Sequence, residues 1–303
     1  MKLHRALSVV GIALGAGLLA LPALADQPKP WEISFQDAAT PVAERVHSLH
    51  TMLLYIVTCI TLFVLGLLVY VMFRFHESRH PTPSRTTHNT FVEVLWTVIP
   101  VIILVFIAIP SFRLLYFQDR TPDPQMTIKA IGHQWNWSYV YPDNGNFTFD
   151  SFIVKEADLK PGQPRLLQTD NAIVVPINTN IRLYTTSSDV IHSWTVPAFG
   201  IKIDAVTGRL NESWFRVENV GTYYGQCSEL CGEGHGFMPI MVKAVSKEDF
   251  EKWAAEARTK FDKADGSPPD KPVKNAATDA TPAAVQTAGA QTVVAPPAKN
   301  SVQ

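Results

Sequence analysis

Residues 51–73, TMLLYIVTCITLFVLGLLVYVMF, carry no charged side chain. As a helix this run spans the roughly 30 Å hydrocarbon layer of a membrane. Residues 94–112, VLWTVIPVIILVFIAIPSF, do the same with Pro100 and Pro110 inside them; membrane helices tolerate proline because neighbouring groups re-satisfy the freed backbone. Between the runs lies RFHESRHPTPSRTTHNT, residues 74–90, followed by Phe91-Val92-Glu93. The pattern predicts a hairpin of transmembrane helices over 48–74 and 91–117. Arg74, Arg79 and Arg85 put the loop at 75–90 on the cytoplasmic side, so that both mature ends face outward.

Upstream, Lys2 and Arg5 precede an apolar stretch at 7–21 and a small-residue Ala23-Leu24-Ala25 site, the order of an export signal over 1–25. A periplasmic segment at 26–47 would follow its removal. From about residue 122 the character changes to short β-rich runs: MTIKAIGHQWNWSYVY, NFTFDSFIV, AIVVPINTNIRLYTT, SWFRVENVGTYYGQC and MPIMVKAVS. Turn residues separate them, as in Pro142-Asp143-Asn144-Gly145 and Lys160-Pro161-Gly162. They predict an antiparallel sandwich or barrel within 118–262. Ser246-Lys247-Glu248-Asp249 then opens a helical run, FEKWAAEARTKF. The Ala/Pro-rich stretch at 263–303 lacks aromatic residues and is expected to be disordered.

Composition agrees with a membrane protein. The 303 residues are 47% hydrophobic and 17% charged, against about 25% charged in soluble domains. A formal net charge of −1 excludes a strongly basic nucleic-acid binder. Three cysteines are too few for a disulfide scaffold, and Cys-x-x-Cys-His, the attachment signal for c-type haem, does not occur.

The chemistry concentrates in Cys227-Ser228-Glu229-Leu230-Cys231-Gly232-Glu233-Gly234-His235-Gly236-Phe237-Met238. Two thiolates four residues apart, an imidazole and a thioether on one glycine-rich loop form a soft donor set that selects copper. Zinc is the chief competing metal, but it would leave Met238 unused. A disulfide is the other reading of the cysteine pair in an oxidising compartment. A single-copper blue site needs one cysteine and two histidines. The second cysteine points instead to two thiolates bridging two coppers that share one electron, with His192 in Asp189-Val190-Ile191-His192-Ser193-Trp194 as the further imidazole.

Over residues 41–261 the chain resembles subunit II of the haem–copper cytochrome c oxidases. The motifs that carry the resemblance are Gly132-His133-Gln134-Trp135-Asn136-Trp137-Ser138-Tyr139, Asp189 to Trp194, Gly208-Arg209-Leu210-Asn211, and Tyr223-Tyr224-Gly225-Gln226-Cys227 through Met238-Pro239. The resemblance implies a cupredoxin-like, all-β Greek-key barrel holding the binuclear copper centre called CuA. Cys227 and Cys231 would bridge both coppers, His192 and Met238 would complete one, and His235 with the main-chain oxygen of Glu229 the other. The Glu229 side chain would reach a magnesium ion at the interface with subunit I. Trp135 would be the electron entry point.

The resemblance also implies docking of cytochrome c on Asp150, Asp170 and Asp189. Residues 122–262 hold 17 acidic and 13 basic residues, a modest acidic excess. Val140 and Ser188 stand where the family often has Glu, which weakens or redistributes this steering. Glu93 matches a family carboxylate at the mouth of a proton path into subunit I, while an acidic residue there also suits a helix N-terminus. The whole implies the electron-entry subunit of a proton-pumping oxidase that reduces oxygen to water. Its expected setting is the bacterial inner membrane, beside subunit I and subunit III, with membrane lipid around the hairpin. Oxygen chemistry would belong to subunit I.

Overall fold

The computed structural model describes residues 27–82 and 84–261. The expected export signal and the Ala/Pro-rich tail lie outside the described residues.

Two long helices come first, α1 (Pro41–Arg74) and α2 (Thr90–Asp119). Each starts on a side-chain cap: Thr40 Oγ1 accepts from the Ala43 N–H at 3.1 Å, and Asn89 Oδ1 from the Val92 N–H at 3.2 Å. Pro41 suits the first helical position because that N–H has no intrahelical partner. Both helices are long and apolar enough to cross a membrane. Leu62, Phe63, Leu104 and Val105 in their middles are exposed in the isolated chain, as lipid-facing side chains are. α1 begins at Pro41 rather than at 48, because its first turn, with Val42 and Ala43, is buried rather than solvated. α2 likewise overruns the expected 91–117 at both ends.

Ten strands follow among the described residues: β1 (Met126–His133), β2 (Asn136–Tyr141), β3 (Phe147–Ser151), β4 (Ile173–Pro176), β5 (Ile181–Ser187), β6 (His192–Val196), β7 (Ile201–Ala205), β8 (Asn211–Phe215), β9 (Gly221–Gln226) and β10 (Pro239–Val245). They form a sheet in the order β3-β2-β1-β5-β8, a second in the order β4-β10-β9, and the β6-β7 pair. These wrap one apolar core as a cupredoxin-like barrel. The expected all-antiparallel pairing needs correction. β1 runs parallel to β5, and β4 parallel to β10. Long Greek-key crossovers bring strands distant in sequence side by side in the same direction, which short hairpins cannot do.

The core follows the period of two. β1 and β5 alternate buried and half-buried residues, turning Met126, Ile128, Ala130, Ile181 and Leu183 inward. Trp137, Trp194, Tyr139, Tyr141, Phe199 and Phe215 are the largest fully buried side chains. Helix α3 (Lys247–Phe261) closes one side. Ser246 Oγ accepts from the Asp249 N–H at 3.1 Å as the helix cap. Phe250, Ala254 and Ala257 face inward, and Trp253 packs against Tyr141 with ring centroids 5.3 Å apart.

Candidate metal centre

The register of β9 and β10 builds the site. Gln226 pairs with Pro239, so Cys227 and Met238 are the next residues out on the two strands. The Cys227 N–H donates to the Met238 carbonyl at 3.4 Å. The loop between them folds back as a tight turn at His235–Phe237. β6 delivers the remaining imidazole, since His192 is its first residue and is fully buried.

All six expected donors gather there. Cys227 Sγ lies 3.8 Å from Cys231 Sγ, 3.9 Å from His192 Nδ1 and 3.4 Å from the Glu229 carbonyl oxygen. Cys231 Sγ lies 3.5 Å from His235 Nδ1 and 3.6 Å from Met238 Sδ. His192, Cys227 and Cys231 are buried, with ligand atoms all within 4.8 Å of one another. Met238 is buried too, and His235 is half-buried. The two sulfurs are well beyond disulfide length, about 2.05 Å, and both cysteines are free. They are close enough for one ion at ordinary metal–sulfur distance, about 2.3 Å, to touch both. Two thiols, two imidazoles, a thioether and a carbonyl therefore fit a soft, redox-active metal.

The electrostatics prepare the cluster for a cation. Burial works to raise the Cys227 thiol, but its hydrogen bonds with His192 and with the backbone at Glu229 and Ser193 outweigh this and bring it down to about 6. Burial, and then the negative charge of Cys227, push Cys231 up to about 12. One thiol of the pair thus ionises readily, and its negative charge holds the proton on the other until a metal displaces it.

Asp189 orients His192. Its Oδ1 is 2.8 Å from His192 Nε2, which leaves Nδ1 facing the sulfurs. Asp189 also accepts from the Gln134 N–H at 2.7 Å and the Val190 N–H at 2.6 Å. Against the opposing effect of burial, these bonds hold its carboxyl below the usual range. A carboxylate behind a metal-binding imidazole fixes tautomer and ring orientation. This role went unread in the sequence, where Asp189 counted only as a docking charge. The signal was its place three residues before His192. Trp137 packs its ring edge-on to His192 at 5.9 Å and donates to the Met238 carbonyl at 3.3 Å.

Trp135 is half-buried beside the cluster. Its Nε1–H donates to the Cys231 carbonyl at 3.1 Å, and Gln134 Nε2 donates to the same oxygen at 2.9 Å. The indole lies over Gly234, where an added Cβ would come within 2.4 Å of Trp135 Cδ2. The glycine is required by that close approach.

The other expected site residues are dispersed. Asp150 and Asp170 are exposed and line one cleft with Phe152. Asp150 accepts from Ser138 Oγ at 2.5 Å, and Asp170 accepts from the Phe152 and Asn171 N–H groups at 2.8 and 2.7 Å. The exposed Glu229 carboxylate is 3.9 Å from Lys202 Nζ. Glu93 lies at the start of α2, far from the donors in sequence, and its Oε1 accepts from the Asn89 N–H at 3.3 Å.

The chain is similar in sequence to known proteins. A family profile described as the periplasmic domain of cytochrome c oxidase subunit II matches residues 126–245, and its transmembrane-domain counterpart matches residues 28–114. The chain is 52% identical over 242 residues to a probable cytochrome c oxidase subunit 2 of Rickettsia bellii, covering 80% of this chain and 90% of that one. It is 51% identical over 239 residues to cytochrome c oxidase subunit 2 of Oenothera berteroana, covering 77% and 93%. A crystal structure of the periplasmic domain of subunit II of cytochrome oxidase from Bradyrhizobium japonicum is 52% identical, covers 47% of this chain and 99% of its own, and superposes with a TM-score of 0.45.

Proposed function

The chain belongs to the cytochrome c oxidase subunit II family, as a two-pass membrane subunit of a haem–copper oxidase with a periplasmic domain, and we propose that it is the electron inlet of that oxidase. The observation that carries this reading is the convergence of Cys227, Cys231, His192, His235, Met238 and the Glu229 carbonyl in one largely buried cluster. Cys227 and Cys231 would be shared between two coppers, with His192 and Met238 on one side and His235 and the Glu229 oxygen on the other. A bound copper pair supplies reversible one-electron chemistry with little reorganisation.

The surrounding residues have separable tasks in this reading. Asp189 holds His192, and Trp137 holds the Met238 carbonyl in place. Trp135 offers the entry, because one hydrogen bond joins its ring to the main chain of Cys231. Asp150 and Asp170 attract the basic face of cytochrome c. Asp189 contributes less there, since its carboxylate is already engaged. The Glu229 carboxylate faces outward for magnesium at the subunit I interface, exchanging its loose contact with Lys202 for the ion. Glu93 collects protons at the inner mouth of the hairpin for a proton-pumping partner. Subunits I and III, a bacterial inner membrane and a periplasmic cytochrome c complete the setting.

Rapid mixing of the oxidised complex with reduced cytochrome c tests the inlet. The copper absorption should bleach first and haem reduction should follow. Haem reduction that precedes copper reduction would overturn the reading.

A further inference from the structure

We infer that Thr40, Ala43 and Gly200 form a positioning joint that fixes the copper-bearing strand β6 to the first membrane helix, and so sets the separation across which the electron leaves this chain. The inference rests on the electron-inlet reading. β6 begins at His192 and runs straight into the turn Pro197–Phe199, followed by Gly200. That turn receives the N-terminus of α1. Thr40 Oγ1 donates to the Phe199 carbonyl at 2.7 Å while accepting from the Ala43 N–H at 3.1 Å. One hydroxyl is thus both the helix cap and a bond to the β domain. Capping alone needs only the second of these contacts.

The backbone repeats the connection. The Ala39 N–H donates to the Ala198 carbonyl at 2.9 Å, and the Ala39 carbonyl accepts from the Glu218 N–H at 3.2 Å. Gly200 has φ +68°, and a Cβ added there would lie 2.8 Å from Ala43 Cα and 3.0 Å from Ala43 N. Helix and turn meet main chain to main chain, at a place only glycine can occupy. Thr40, Val42 and Ala43 are at most 2% exposed. α2 is held in the same way at its outer end. Trp214 Nε1–H donates to the Phe117 carbonyl at 3.1 Å, and the Arg45 guanidinium lies over the Phe117 ring, 3.3 Å from its centroid.

Relative motion is the ordinary behaviour of parts joined by a flexible linker. Here Thr40 passes directly from the β-domain contact into the helix. Electron tunnelling decays exponentially with separation, so a swivel at this point that lengthens the distance from the cluster to its acceptor would lower the rate. His192 and the joint lie at opposite ends of one short strand. The joint therefore ties α1 to the strand that carries His192, with the five residues of β6 between them.

The test uses the assembled oxidase with Thr40→Val, which keeps the branched shape and loses both hydrogen bonds, and Thr40→Ser, which keeps both. Pulsed electron paramagnetic resonance reads the distance distribution between the copper centre and the nearest haem, and photoinjected electrons read the internal transfer rate. Thr40→Val should shift the distribution to longer distance and slow internal transfer several-fold. Its copper spectrum and the KM for cytochrome c should stay as in the wild type, and Thr40→Ser should match the wild type throughout. Should Thr40→Val fail to assemble, Thr40→Ala takes its place under the same criteria. An assembled variant lacking both bonds, with wild-type distribution and rate, would overturn the joint. The wild-type copper spectrum and transfer rate judge the inlet reading separately.

Discussion

The indole N–H of Trp135 donates to the carbonyl oxygen of Cys231 at 3.1 Å. A half-buried ring that reaches solvent on one side and the main chain of a sulfur donor on the other is a short covalent and hydrogen-bonded route into the cluster. Trp135→Phe keeps a ring over Gly234 and removes only that bond and the indole. Electron entry from cytochrome c should slow strongly. The copper spectrum and cytochrome c affinity should be nearly unchanged. Loss of copper on this substitution would make Trp135 a structural residue instead.

Asp189 supports the imidazole that completes the site from β6. Asp189→Ala removes its bonds with His192 Nε2 and with the Gln134 and Val190 N–H groups. Copper retention against a competing chelator should fall by about 10- to 100-fold, as is usual when the partner of a metal-binding histidine is lost. Asp189→Asn retains an acceptor and should be milder. Equal retention in wild type and Asp189→Ala would show that the packing of β6 alone orients His192.

Docking should weaken as salt rises, because exposed charges are screened over about 8 Å at physiological ionic strength. Asp150→Asn removes one exposed charge, and such pairs contribute about 0.2–1 kcal/mol. The KM for cytochrome c should therefore rise by up to about fivefold at low salt, with little change in turnover at saturation. Asp170→Asn is the less clean test, since its carboxylate also holds the Phe152 and Asn171 amides. Kinetics independent of salt would count against electrostatic docking.

Much of the site was legible because it is local. Cys227, Cys231, His235 and Met238 lie on one loop, and their spacing alone announces a soft donor set. His192 is remote, and it became legible only once the loop proved short of an imidazole. The support for His192 was harder to read, since Asp189 acts from the bend before β6 and is anchored by the amide of Gln134 in the distant turn between β1 and β2. The fold divides in the same way. Alternation in β1 and β5 told which side chains face inward but not which strands are neighbours, so the two parallel pairings stayed hidden. The early start of α1 did leave a trace in Thr40-Pro41, a cap followed by a first-turn proline. It was masked because the apolar run begins later, at Thr51.

Glu93 separates two roles in the membrane half. Its carboxylate accepts from the Asn89 N–H at the start of α2, a contact that glutamine also makes. Glu93→Gln should therefore leave the helix cap, assembly and copper spectrum intact. If the carboxylate gathers protons for the partner subunit, oxidase turnover should fall several-fold. An assembled Glu93→Gln complex at full speed would leave Glu93 with the capping role alone.

The most direct measurement is the copper stoichiometry of the purified, oxidised protein, taken together with its electron paramagnetic resonance spectrum. The clustered sulfurs of Cys227 and Cys231 predict two coppers per chain sharing one unpaired electron equally, with that shared signal abolished by Cys227→Ser. A single copper per chain with its electron localised on one metal, or a shared signal that survives Cys227→Ser, would contradict the bridged pair and with it the electron-inlet assignment.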